Sequence, residues 1–218
     1  MPSPLTHIAD IRKDYRLAAL DEDSAGEDPF IFFEKWFKEA QAAEITEVNA
    51  MTLATIDAGQ QPHARIVLLK GFDKKGFVFF TNYQSAKGLE IASNPKCALV
   101  FFWKELERQV RIEGSIEKTE GTESDIYFHS RPLSSQTGAW ASPQSKPVSS
   151  RDILDAAYKQ FEQQFSTTSP IPRPPFWGGY RIVPAYIEFW QGRSSRLHDR
   201  IAFSLMHDKS WSRSRLAP

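Results

Sequence analysis

Two guanidiniums and an imidazole stand within five residues at Arg196-Leu197-His198-Asp199-Arg200. That set suits an anionic or polar aromatic ligand. In an extended segment, positions 196, 198 and 200 share a face. The same residues would also serve as a solvated ribbon with an internal Asp–Arg pair. A second set is Tyr127, Arg131 and Ser135. On a helix Tyr127 and Arg131 are neighbours, and Ser135 follows just past Pro132. One guanidinium fork and two hydroxyls make a phosphate clamp. The alternative is a plain helix C-terminus with an exposed arginine.

Arg65 and Lys70 bracket an apolar run. On a regular strand they point to opposite faces, so a bulge or the strand end is needed to aim both at one ligand. As solvated edge charges they would discourage edge pairing instead. Ser85 and Lys87 open a short helix directly after a strand, where unpaired N–H groups and the helix dipole favour an anion. A plain capped helix would read the same way.

These residues must be positioned by short strands and a few helices. Met51–Ile56, Ala64–Leu69 and Phe77–Phe80 are apolar runs separated by Asp57-Ala58-Gly59 and Asp73-Lys74-Lys75-Gly76, which predicts an antiparallel meander. Further strands are predicted over Cys97–Trp103, Gln109–Glu117 and Tyr180–Trp190. A final hairpin over Ile201–Leu205 and Ser210–Leu216 turns at His207-Asp208-Lys209. Val110, Ile112 and Ile116 share one face of their strand, and Gln109, Arg111 and Glu113 the other. Helices are predicted over Leu5–Leu17, from Asp28-Pro29 to about Ala43, over Ser85–Ala92, over Thr122–Arg131, and over Arg151–Phe165 with Ile153, Leu154, Ala157, Phe161 and Phe165 inward. Ser134–Ser150 reads as a polar loop, Ser169–Phe176 as a polyproline-like connector, and residues 1–27 as a mobile arm ahead of one domain over 28–218. Blocks of strands without βαβ alternation argue an antiparallel barrel with peripheral helices. No dinucleotide-binding or P-loop glycine pattern is present.

The chain has 218 residues, 41% hydrophobic and 25% charged, which is ordinary globular usage. Lys+Arg and Asp+Glu balance at 27 each, which disfavours nucleic acid and anionic membranes as partners. Cys97 is the only cysteine, so no intramolecular disulfide and no cysteine-based metal site is expected, and its apolar setting predicts a buried, inert thiol. The opening MPSPLTHIADIRKDY lacks a signal peptide's charged and apolar regions. The apolar runs are too short for a membrane span. A soluble, cytoplasmic protein is expected.

Nine segments together resemble a known family. RIVLLK (65–70), FFTNYQSAKG (79–88), ERQVRIEG (107–114), YFHSRP (127–132), SSQTGAWASPQS (134–145), FWGGYR (176–181), IEFWQG (187–192), RLHDR (196–200) and RLAP (215–218) stand in the order seen in the pyridoxine (pyridoxamine) 5′-phosphate oxidase family. The resemblance runs from about Pro29 to Pro218, with a weaker echo at Arg12–Tyr15. It implies a mainly β, antiparallel split barrel that binds FMN, and a homodimer with one FMN at each of two subunit interfaces.

By resemblance, Arg65, Ile66, Val67, Leu68, Leu69 and Lys70 form the strand against the flavin. Phe80, Thr81, Lys87 and Gln109 add further FMN contacts, and Gln144, Ser145, Trp190 and Arg200 those from the partner's side. Lys70, Tyr127, Arg131 and Ser135 resemble the clamp on the substrate's 5′-phosphate. Arg196, Leu197 and His198 resemble the segment over the pyridine ring, with Arg196 and His198 the candidate catalytic pair. Arg12 and Tyr15 resemble an arm that closes on the site. No metal is implied. The implied reaction converts pyridoxine or pyridoxamine 5′-phosphate to pyridoxal 5′-phosphate by hydride transfer from C4′ to the flavin, with O2 reduced to H2O2. Alternatives are another split-barrel flavin reductase, or a non-catalytic carrier of FMN or pyridoxal phosphate. The chain departs from the family pattern in three places. Phe80 stands where a tyrosine is usual, Ala86 where an arginine is usual, and Arg193-Ser194-Ser195 replaces a Gly-Glu-His-type run.

Overall fold

Asp28 caps a helix because its carboxylate accepts from the N–H groups of Phe30 and Ile31, and Pro29 needs no partner at the first helical position. The helix that follows, α2 (Pro29–Ala42), buries Phe30, Phe32, Phe33, Trp36 and Ala40. A shorter helix, α1 (Glu22–Ala25), precedes it. The structure is a computed structural model and describes residue 8 and residues 10–218. Part of the helix predicted over Leu5–Leu17 lies outside the described residues. Residues 11–16 are not helical.

The remaining elements are β1 (Ala50–Ile56), β2 (Pro62–Leu68), β3 (Gly71–Asp73), β4 (Gly76–Asn82), α3 (Ala86–Ser93), β5 (Lys96–Trp103), β6 (Arg108–Lys118), α4 (Gly121–Ser130), α5 (Leu133–Ala141), α6 (Arg151–Gln164), β7 (Trp177–Gln191), β8 (Asp199–Leu205) and β9 (Trp211–Arg215). The strands form one sheet in the order β2-β1-β5-β6-β7-β4-β3, with β8 on β7 and β9 on β8. The β1–β2, β3–β4, β4–β7, β7–β8 and β8–β9 pairs are antiparallel. Long β7 pairs with β4 through residues 177–182 and with β8 through residues 186–191. The change of partner falls at Pro184, which has no N–H to give a ladder.

The chain divides into two compact units. One comprises the described residues up to Val48 with Val100–Ile112 and Tyr186–Pro218; the other comprises Asn49–Leu99 and Glu113–Ala185. The first has an aromatic core. Phe189 takes Phe32 at 4.6 Å and Trp36 at 5.3 Å between centroids, and Phe33 meets Phe101 at 5.3 Å. In the second, Phe128, Ile171 and Trp177 form a buried cluster. Burial pushes the Cys97 thiol up to about 12, which leaves it unreactive at neutral pH.

Three further sequence expectations change. The predicted polar loop over Ser134–Ser150 contains most of α5, held by Trp140 against Phe161 of α6 and Phe165 at its C-cap. The apolar face of α6 is covered only in part: Leu154, Ala157, Phe161 and Phe165 are half-buried, no residue of that helix is fully buried, and Ile153 remains 47% exposed. Arg196 does not lie in an extended ribbon. Ser194–Arg196 is a 3-10 turn in which Ser195 and Arg196 take left-handed φ values of 57° and 61°, so positions 196 and 198 do not share a strand face. Among the described residues no helix is long and apolar enough to cross a membrane, and no group of acidic, His and Cys side chains is placed to hold a metal ion.

Candidate active site

The residues singled out from the sequence fall into two sets, one in each unit. In the unit containing β1–β4, Arg65 pairs with Leu53 across β1–β2 and so shares the face of buried Met51, Leu53 and Thr55. Its guanidinium reaches Thr55 Oγ1 and donates to Glu90 Oε2 at 2.6 Å. Val67 shares that face, while Ile66 on the other is 63% exposed. Lys70 lies past the strand end. Leu69 N–H still donates to Asn49 O, but Lys70 N–H donates to Val78 O of β4. The chain changes partner between these residues, and that releases Lys70 from the alternation of β2.

Ser85 caps α3, its hydroxyl accepting from Gly88 N–H and donating to Asn82 O. This sets Lys87 in the first turn, and a Cβ at position 88 would stand 2.2 Å from Tyr83 O, so only glycine allows the approach. The Lys87 ammonium is buried and donates to Thr81 Oγ1 at 3.4 Å. Burial lowers its pKa, the Arg65 charge adds to that, and Glu90 opposes. Gln144 Oε1 accepts from Thr81 Oγ1 at 3.3 Å and from Asn82 N–H at 3.4 Å. Arg65, Thr81, Lys87 and Gln144 therefore belong to one polar cluster. The resemblance assigns Gln144 to the partner's side; here it lies against Thr81 of its own chain. Ser145 takes a left-handed φ of 71° in the turn beyond.

Phe80 lies in an aromatic stack, 3.9 Å from Tyr127 and 5.7 Å from Trp177 between centroids. On one side Lys70, Val78, Phe80 and Tyr127 line a cavity of about 390 Å³. Arg131 and Ser135 line a different one of about 270 Å³ with Asn82, Gln144 and Trp177. The clamp residues are thus divided: Arg131 leaves the helix at its C-cap, with an extended ψ of 153°, instead of facing Tyr127 along it. Its guanidinium stacks on Trp177 at 4.6 Å, and its Nη1 is buried without a hydrogen-bond partner.

The other unit holds Tyr15, Trp190, His198, Arg196, Leu197, Arg200, Gln109 and Arg12. The His198 ring lies 4.6 Å from that of Trp190, tilted by 46°, and Tyr15 meets the same two rings at 5.7 Å and 6.0 Å. His198 Nδ1 accepts from Arg193 N–H at 3.1 Å, so in the neutral ring the proton sits on Nε2, which is left as a donor. Arg196, Leu197 and Arg12 are exposed, and Gln109 is half-buried on β6. Arg200 Nε donates to Glu188 Oε1 at 2.7 Å, and Arg111 Nη2 donates to Glu188 Oε2 at 2.6 Å. Burial pushes the Glu188 carboxyl up, but the two guanidiniums and the Tyr186 hydroxyl outweigh it, and its pKa is lowered.

Glu90, Glu107, Trp177 and Glu188 were not identified as site residues from sequence. A carboxylate inside the otherwise apolar run Ile187–Trp190 is a usable signal, because a buried charge needs a partner. Nothing local marks Glu90 or Glu107.

A family model described as pyridoxamine 5′-phosphate oxidase matches residues 37–165, and one described as the pyridoxine 5′-phosphate oxidase C-terminal dimerisation region matches residues 177–218. A pyridoxine/pyridoxamine 5′-phosphate oxidase of Nostoc sp. is 56% identical over 211 residues, covering 97% of this chain and 98% of the relative. One from Cupriavidus taiwanensis is 54% identical over 214 residues, covering 98% and 100%. Among solved structures, PhzG from Burkholderia lata in complex with tetrahydrophenazine-1-carboxylic acid superposes with a TM-score of 0.87 at 26% identity, covering 94% of this chain and all of the other. The fold is the antiparallel split barrel expected from the sequence, and the chain belongs to the pyridoxamine 5′-phosphate oxidase family.

Proposed function

We propose that this protein oxidises pyridoxine 5′-phosphate and pyridoxamine 5′-phosphate to pyridoxal 5′-phosphate, with FMN as cofactor and O2 as acceptor, yielding H2O2. The observation that carries the substrate's phosphate is Arg131. A guanidinium nitrogen buried without a partner, on an aromatic face and beside Ser135, is costly unless an anion completes it.

The polar cluster fits the phosphate of FMN. Two cations, Arg65 and Lys87, share one carboxylate, Glu90, and among the described residues Lys87 has no ion pair of its own. Thr81 and Gln144 supply neutral donors there. FMN, when bound there, would supply the two-electron redox chemistry, with O2 as the final acceptor. The protein's own part is to hold the substrate ring in place, which is where orientation contributes most of the rate. Arg131 and Ser135 hold the phosphate, joined by Lys70 and Tyr127 when substrate binds. The Nε2–H of His198 donates to a ring substituent, and Arg196 places a positive charge beside it. Ile66, Val67, Leu68 and Leu69 line the flavin; Gln109, in the other unit, is a flavin contact by resemblance alone.

The reading includes a cytoplasmic homodimer with composite sites, in which residues 28–218 act as one FMN-binding domain and residues 1–27 as its arm. Trp190, Arg200 and Ser145 reach the FMN held by the partner's Arg65 strand.

The test is oxygen uptake with pyridoxine 5′-phosphate set against unphosphorylated pyridoxine. The phosphorylated substrate should be turned over with a much lower KM. Equal KM values for the two would overturn the phosphate assignment; no uptake by FMN-loaded protein would overturn the oxidase. Mixing Arg65→Ala with Arg200→Ala chains should restore activity in the heterodimer, and its failure to do so would overturn the composite site.

A further inference from the structure

Residues 11–16 have no regular structure, yet this stretch is gripped at one point. Glu107 Oε2 accepts from Arg16 N–H at 2.9 Å and from Leu17 N–H at 3.2 Å, and its Oε1 lies 3.1 Å from Lys13 Nζ. Among the described residues every hydrogen bond and ion pair of this carboxylate goes to the arm. Glu107 is only 2% exposed. It takes a left-handed conformation, φ 55° and ψ 39°, directly after the turn Lys104–Leu106. Glycine or asparagine would be at ease there, so a glutamate points to a task for its side chain. Its carbonyl accepts from Gly192 N–H at 2.8 Å and from Gln191 Nε2 at 3.2 Å. One residue thus grips the arm by its side chain and the end of β7 by its backbone. Between those two grips lies Tyr15, with its ring on Trp190 and His198. A Cβ at position 192 would stand 2.7 Å from that ring, so the glycine is what admits it.

We propose that Glu107 is a positioning residue for substrate binding: its carboxylate clamps Lys13–Leu17 so that Tyr15 stays against Trp190 and His198 and covers the substrate side of the site. Ordering an irregular arm costs chain entropy. Few apolar contacts are available to offset it, and two N–H groups with an ammonium on one anion supply charge-assisted bonds that a neutral side chain cannot match. The proposal rests on reading Tyr15 and His198 as substrate residues.

Glu107→Gln in the full-length holoenzyme tests it, since glutamine keeps the size and loses the charge. Chymotrypsin cleavage at Tyr15-Arg16 should accelerate about fivefold or more. KM for pyridoxine 5′-phosphate should rise by about the same factor, with kcat and the FMN Kd moving less than about twofold. Glu107→Gln/Tyr15→Ala should be no worse in KM than Tyr15→Ala alone, because both act through one contact. A residue that only stabilised the turn would lower Tm without this coupling. Should Glu107→Gln not fold, Lys13→Met removes one of the three bonds from the arm's side and should accelerate cleavage to a lesser degree. Unchanged cleavage in the soluble variant, or effects of Glu107→Gln and Tyr15→Ala that multiply, overturns the proposal. Cleavage needs no turnover, so a protein inactive on both phosphates would sink the oxidase reading while the clamp was still decided.

Discussion

Arg200 Nε lies 2.7 Å from Glu188 Oε1, and Glu188 is 2% exposed within an apolar strand. The same carboxylate holds Arg111 and the Tyr186 hydroxyl. Arg200 therefore cannot swing away without leaving a buried charge underpaired. Glu188→Gln keeps the shape and should cost about 1.5–3 kcal/mol at neutral pH. Because the Glu188 pKa is lowered in the folded chain, its stabilisation is present above the ordinary glutamate value and is lost as pH falls through the folded value. Urea unfolding of the two proteins should differ fully at neutral pH, and the difference should shrink only as pH falls below the ordinary glutamate range and through the lowered folded value. A difference independent of pH would show that the charge is not what stabilises.

Arg131→Ala should raise KM for pyridoxine 5′-phosphate about tenfold or more, the cost of a charge-assisted contact to phosphate. Turnover of unphosphorylated pyridoxine should hardly change. Arg131→Lys should rescue only part, since lysine lacks the planar fork that stacks on Trp177. Steady-state kinetics on both substrates decide it; equal losses on the two would remove Arg131 from the phosphate.

Lys87 should make FMN affinity pH-dependent on the alkaline side. Burial first, and the Arg65 charge second, lower its pKa, so the ammonium is lost at a lower pH than an ordinary lysine's. The FMN Kd should therefore rise as pH is raised toward that range, and Lys87→Met should give a weaker but flatter profile. Fluorescence titration across pH measures both. A wild-type profile as flat as that of Lys87→Met would exclude this lysine as the titrating group.

Ala86→Arg should tighten FMN only modestly. Ala86 is the first residue of α3 and is exposed, so solvent screens an added guanidinium to about 0–1 kcal/mol, at most about fivefold in Kd. Position 90 lies one helical turn on, and its carboxylate already serves Arg65, so the new arginine also competes for it. The gain should vanish at high salt. A gain far above this, or one that persists in salt, would mean that the new side chain reaches a dry part of the site.

Much of this was legible because it depends on neighbours in the chain. Asp28-Pro29 marks a helix start by chemistry confined to four residues. The alternation of Val110, Ile112 and Ile116 marks the buried face of β6, because a pleated strand turns each side chain by half a rotation. The last hairpin turns at Met206–Ser210, around the predicted His207-Asp208-Lys209. The motif order carried the family.

What the chain's order did not carry is which groups meet across it. Glu107 grips residues about ninety positions away, Glu90 reaches back to Arg65, and α5 stands as a helix among serines and glutamines because Trp140 packs on α6. Tyr127 and Arg131 were one helical turn apart on paper, but the helix ends at Ser130 and Trp177 takes the guanidinium. The sequence by itself determined most of the elements, the local caps and the types of side chain at the site, since propensity and periodicity act over a few residues. Only the tertiary structure decided which buried charges are paired and which are left waiting, because burial and long-range electrostatics depend on distances that the folded chain alone sets.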